Sequence, residues 1–130
     1  MAVHGLTAYA HVADVQRSVD FYRRFGLEVR NSHEEGGTLV WAFVASPAEN
    51  PNTAGARLML ALADGPVDAA QQAVLFYRWA ADVRALHDEL RNAGVAVGAI
   101  EHPFYMPAGE FRVVDPDGYV LLVGELNAPG

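Results

Sequence analysis

The chain of 130 residues contains no cysteine. That excludes a disulfide framework and a thiolate metal centre, and makes the cytoplasm the expected compartment. Lysine is also missing: all nine basic residues are Arg, against 16 acidic ones, for a net charge of −7. The missing Lys is read as coding bias and carries no chemistry. The charge balance does carry some. Nucleic acid is gripped by neutralising its phosphates with basic groups, so no nucleic-acid partner is expected. An acidic surface instead favours cationic partners through long-range steering. No apolar run approaches the length of a bilayer span and the first residues lack a signal-peptide layout, so no membrane association is expected. No phosphate loop, Ser-His-Asp arrangement or other nucleophile motif is visible.

What is present is a repeat. Asp14 to Leu27 reads DVQRSVDFYRRFGL, and from Asp82 the chain reads DVRALHDELRNAGV. Each block opens Asp-Val, carries a second Asp six residues on (Asp20, Asp88) and reaches a Gly twelve residues after the first (Gly26, Gly94). Asp at the start suits an N-cap and Gly at the end a left-handed C-terminal position. Val15, Val19, Tyr22 and Phe25 in one block, and Val83, Leu86, Leu90 and Ala93 in the other, recur at helical spacing and give each helix one face to bury. A hydrophobic content of 52% with 19% charged residues fits a soluble globular chain. Its length allows one compact unit rather than two independent domains. The expected layout is a single domain over 1–130, with module 1 at 1–63, a linker at 64–72 and module 2 at 73–130.

Around the helices the pattern predicts strands at Leu6–Val12, Leu27–Arg30, Thr38–Ala45 and Arg57–Ala63, with SHEEGG a polar turn and Ser46–Gly55 a loop. The second half repeats the order, with strands at Val74–Ala80, Val95–Ile100, Glu110–Val114 and Tyr119–Gly124, and the helix Val83–Ala93. Asp115-Pro-Asp-Gly118 fits a type I turn between the last two. The fold class is therefore α+β, two βαβββ modules, each with a helix on one face of its sheet.

These blocks, together with FRVVDPDGYVLLVGE near the end, resemble the vicinal oxygen chelate superfamily of glyoxalases, extradiol dioxygenases and bleomycin-resistance proteins. The resemblance covers nearly the whole chain. It implies cupped mixed sheets, a ligand cavity formed by two cups, and a homodimer. In metal-dependent members four strands each supply a His or Glu ligand. Here those positions fall on Thr7, Met59 (or Leu60), Leu75 and Leu122, so neither a metal nor another cofactor is expected. The remaining histidines are read as surface or packing residues: His4, His33 in the polar turn, His87 in the second helix and His102 at a loop start.

Strand alternation points Tyr9 and His11, Trp41 and Phe43, Leu75, Tyr77 and Trp79, and Val120 and Leu122 into the cups. Phe43, Leu75 and Leu122 read as core packing. Trp and Tyr carry polar tips that need partners when buried, so their gathering on one face points to a pocket for a flat or amphipathic ligand. The expected ligand-binding set is Tyr9, His11, Trp41, Met59, Tyr77, Trp79, Phe104, Tyr105 and Met106, the last three closing over the opening as a loop. Two functions fit. One is a metal-free, non-catalytic protein that sequesters an aromatic or planar antibiotic, a cationic one being compatible with the charge. The other is a metal-independent isomerase, lyase or cyclase using His11 with Tyr9 or Tyr105 as acid and base. A metal-dependent lyase or dioxygenase ranks third. Arg78 falls on the helix side of its strand, which requires either a bulge or a carboxylate partner such as Asp82.

Overall fold

The computed structural model describes residues 7–47, 55–72 and 74–125. The chain divides into two units, Met1–Val67 and Asp68–Gly130. In the first, β1 (Ala8–Val12) leads into α1 (Val15–Arg23), β2 (Glu28–Glu35), β3 (Thr38–Ala45) and β4 (Arg57–Leu62). The strand order is β1-β4-β3-β2, with β1 parallel to β4 and the other pairs antiparallel. In the second, a 3-10 turn (Ala69–Gln71) precedes β5 (Leu75–Ala80), α2 (Val83–Asn92), β6 (Glu110–Val114) and β7 (Val120–Glu125). Here the order is β5-β7-β6, β5 running parallel to β7 and β6 antiparallel to it.

The repeated blocks form matched helices with matched ends. Asp14 accepts from the Arg17 N–H and Asp82 from the Ala85 N–H, each at 3.0 Å. At the far ends Gly26 (φ 83) and Gly94 (φ 85) turn left-handed. Leu27 then donates back to the Tyr22 carbonyl and Val95 to that of Leu90, satisfying carbonyls the helices leave open. Glu125 at the end of β7 adds a second cap to α2, accepting from the Val83 N–H at 2.7 Å. α1 has no such second carboxylate among the bonds described. Asp14→Ala is therefore expected to cost about 1 kcal/mol, read as a lower urea midpoint at unchanged slope.

Each helix covers one sheet face. Val15, Val19 and Tyr22 of α1 are buried with Ala10, Val12, Ala42, Val44, Leu58 and Leu60; Val83 and Leu90 of α2 are buried with Phe111, Val113, Leu121 and Val123. The period-2 burial along the strands leaves the opposite faces uncovered by helix.

Two expectations are corrected. The second strand does not stop at Arg30: β2 runs on through SHEE to Glu35, and the turn is Gly36-Gly37 alone, with φ of 57 and 81. Two successive positive φ angles are what a type I′ hairpin requires. The polar composition misleads because β2 is an edge strand, exposed on both faces from Arg30 to Glu35 and interrupted by two register shifts. His33 accordingly sits in a strand. Second, Val95–Ile100 is not a strand: it meets the sheet at one isolated bridge, Val97 to Val113, and another, Glu101 to Glu110, lies just past its end. Ala96, Gly98 and Ala99 offer little to pack, and at Gly98 even a Cβ would stand 3.2 Å from the Arg112 carbonyl oxygen. The second module is thus βαββ. Leu6, at the start of the first predicted strand, and 48–54 of the predicted loop lie outside the described residues, as does His4.

The register of β5 on β7 is unbroken from Leu75 to Ala80. That removes the bulge and keeps Arg78, half-buried, on the Val123 face.

Candidate functional site

Register assembles the open face of the first unit in two rows. One runs Tyr9–Met59–Phe43–Asn31, the next His11–Ala61–Trp41–His33. Tyr9 is 55% exposed, a large side chain left facing solvent, and its ring meets that of His11 edge-on, with centroids 5.4 Å apart. Met59, Phe43 and Trp41 are half-buried between them. The structure therefore gathers Tyr9, His11, Trp41 and Met59 on one face, as alternation requires. It adds His33, whose Nε2 lies 3.4 Å from a Glu35 oxygen on an exposed edge.

The open face of the second unit is built around a carboxylate that the sequence reading did not single out. Its rows are Tyr77–Leu122–Arg112 and Trp79–Gly124–Glu110. Glu110 is buried, and both its oxygens are engaged: Tyr77 donates its hydroxyl to Oε2 at 2.6 Å, and Tyr105 donates to Oε1 at 2.9 Å. Tyr77, paired with Leu122, reaches diagonally to Glu110 over Gly124, where a Cβ would come within 2.5 Å of the phenol oxygen. Trp79 packs against Tyr77, centroids 4.9 Å apart, yet stays 59% exposed. The loop residues diverge. Tyr105 turns back onto Glu110, Met106 is buried beside Gly124, and Phe104 projects into solvent, touching the ring edge of Tyr105. Glu110 could have been found from the alternation Glu110–Arg112–Val114. What hid it was the partner tyrosines, one of them in a loop of no fixed period.

Burial first, then the hydrogen bond and charge of Glu110, hold the Tyr77 phenol protonated far above its ordinary range; the bond to Glu110 raises that of Tyr105 as well. Both hydroxyls therefore act as donors at neutral pH. Above pH about 10, where an unfolded phenol ionises, the native state binds more protons than the unfolded one, so stability falls as pH rises. Tyr77→Phe is expected to flatten that alkaline loss, measured by urea unfolding at pH 9, 10 and 11.

The positions that the resemblance assigns to metal ligands are Thr7, Met59 (or Leu60), Leu75 and Leu122. Met59 offers a soft thioether, Leu75 and Leu122 offer nothing, and Thr7 offers only a neutral hydroxyl. Among the described residues no group of three His, Asp or Glu converges on a point. His87 is occupied structurally, its Nε2 2.8 Å from the Gly98 carbonyl oxygen and its ring edge-on to Phe111. His102 Nδ1 lies 2.9 Å from the Pro107 carbonyl oxygen. An open hollow of about 370 Å³ in the first unit, between the start of α1 and the β2–β3 hairpin, has no aromatic residue in its lining. Its carboxylate, Asp14, is already used as a helix cap.

The family model described as the Glyoxalase/Bleomycin resistance protein/Dioxygenase superfamily matches residues 7–123. The chain belongs to that superfamily. Among solved structures similar to this superfamily member is a bleomycin resistance determinant encoded on the transposon Tn5, at 15% identity over 96% of this chain and 99% of that one, TM-score 0.73. TnmS3, an antibiotic-binding protein from Streptomyces sp. CB03234, is 21% identical over 96% and 98%, TM-score 0.74. A bleomycin-binding protein complexed with bleomycin is 15% identical over 95% and 98%, TM-score 0.71. At these identities the likeness is one of fold: mixed α+β, with two small mixed sheets and two helices. No curated protein matches the sequence. Among the described residues, no helix is long and apolar enough to cross a membrane.

Proposed function

We propose that this protein is a metal-free, cytoplasmic binder that sequesters an aromatic or planar antibiotic or related natural product, protecting the cell by occupancy rather than by chemistry. One observation carries the reading: Tyr9, Trp79 and Tyr105 are each more than half exposed on or beside the sheet faces that the helices leave open. Flat side chains with polar tips in such positions favour a flat amphipathic ligand through stacking and a few hydrogen bonds. Relatives of the same fold that bind antibiotics support the choice of ligand class. A homodimer belongs to the same proposal. Light scattering after size exclusion tests it, and a monomer would remove the dimeric part.

The test of binding is intrinsic tryptophan fluorescence during titration with planar and glycopeptide antibiotics, bleomycin included. Saturable, stoichiometric quenching that Trp79→Phe diminishes is the expected result. No response from any compound would overturn the ligand class. Conversion of a bound compound, abolished by His11→Ala, would instead establish a metal-independent isomerase, lyase or cyclase.

A further inference from the structure

Glu110 asks for more than an aromatic ligand. It is 7% exposed, yet both its hydrogen-bond partners are neutral phenols. None of the ion pairs among the described residues involves it, Arg112 on the same face of β6 included. Its opposite number in the sheet is another carboxylate: Glu101 and Glu110 form an antiparallel bridge with backbone bonds of 2.7 and 2.9 Å. Like charges on directly opposed residues destabilise a strand pair, and two phenol donors spread a buried charge without cancelling it. Trp79, across Gly124 in the same row, is exposed with its ring against Tyr77, and Tyr105, bonded to the other carboxylate oxygen, is exposed as well. Aromatic faces beside an uncompensated carboxylate attract an organic cation twice over, by the ring quadrupole and by the charge.

The geometry points to an organic-cation subsite on the open face of the second unit. There Trp79, Tyr77 and Tyr105 receive an ammonium or cationic ring nitrogen of the ligand, and the Glu101–Glu110 pair supplies its counter-charge. This rests on the binding function proposed above and adds the chemical group that is recognised. Tyr77 and Tyr105 hold the Glu110 carboxylate in place as positioning donors.

The probes are N-methylacridinium, a planar permanent cation, and acridine, neutral at pH 8, compared by isothermal titration calorimetry. The cation is expected to bind about tenfold more tightly than acridine, the scale of one charge-assisted contact. Glu110→Gln is expected to bring that ratio close to one by weakening the cation far more than acridine, with far-UV circular dichroism confirming the fold. Glu101→Gln, at an exposed position, keeps the test decisive if the buried variant folds poorly, and is expected to lower the ratio about threefold. A wild-type ratio near one, or a ratio that survives these changes in folded variants, overturns the subsite while leaving aromatic binding intact. Failure of both probes to bind overturns the subsite and the aromatic-ligand reading together.

Discussion

Gly118→Val is expected to cost about 4 kcal/mol or more, enough to unfold a domain of ordinary stability. Two independent reasons converge on this glycine. It closes the Asp115–Gly118 turn with φ 88, a conformation that a β-branched residue resists. A Cβ there would also lie 2.5 Å from the Ala69 carbonyl oxygen and 2.6 Å from the Ala69 Cα, and backbone cannot step aside as a side-chain tip can. The turn is otherwise tightly made. Asp115, buried, accepts from the Asp117 and Tyr119 N–H groups at 2.9 Å each, and Gly118 donates to the Asp115 carbonyl at 3.0 Å. Gly36→Val separates the two reasons, because Gly36 has a positive φ but open space around its Cβ. It is expected to cost about 1–2 kcal/mol. Urea unfolding of both variants decides the matter, and equal costs would contradict the packing half of the argument.

Gly124→Ala is expected to leave the fold standing and disable the second open face. Its Cβ would lie 2.5 Å from the Tyr77 hydroxyl oxygen and 3.1 Å from the Met106 methyl. These are the far ends of flexible side chains, so the ring moves and the backbone does not. The displaced Tyr77 loses its 2.6 Å bond to Glu110 and its contact with Trp79. A stability loss of about 1–3 kcal/mol is expected from a carboxylate left half-satisfied in a buried place. Affinity for whichever compound quenches Trp79 is expected to fall about tenfold, the scale of one lost hydrogen bond to a charged group. Tyr77→Phe removes the same bond without crowding and is expected to reproduce most of the affinity loss. Affinity within twofold of wild type in both variants would take Tyr77 and Glu110 out of the binding site.

The helices were legible in the sequence because every signal for them is local. Asp14 and Asp82, Gly26 and Gly94, and the apolar stripes between them sit within one or two turns of each other. The open-face residues of β1, β3, β4 and β5 were legible for the same reason, since period-2 alternation fixes Tyr9, His11, Trp41, Tyr77 and Trp79 once the strands are placed. The failures are non-local. The far half of β2 reads as a turn because edge strands need no apolar face, and only pairing with β3 makes SHEE a strand. The 95–100 segment has strand-like Val95 and Val97, but its small residues leave it meeting the sheet at one isolated bridge. Glu110 was missed because its meaning comes from Tyr105, held in a loop, and from Tyr77, 33 residues earlier. Arg78 keeps its helix-side place without a bulge, an outcome that only the observed register could decide.

The central proposal is that this superfamily member binds its ligand without a metal and without changing it. Equilibrium dialysis against a quenching compound, after exhaustive chelation with EDTA and with mass-spectrometric analysis of the recovered compound, tests it most directly. The expected result is saturable, stoichiometric binding of undiminished affinity after chelation, with the compound recovered at its original mass and retention. Binding that disappears on chelation and returns with a divalent ion, or recovery of a converted product, would contradict the account.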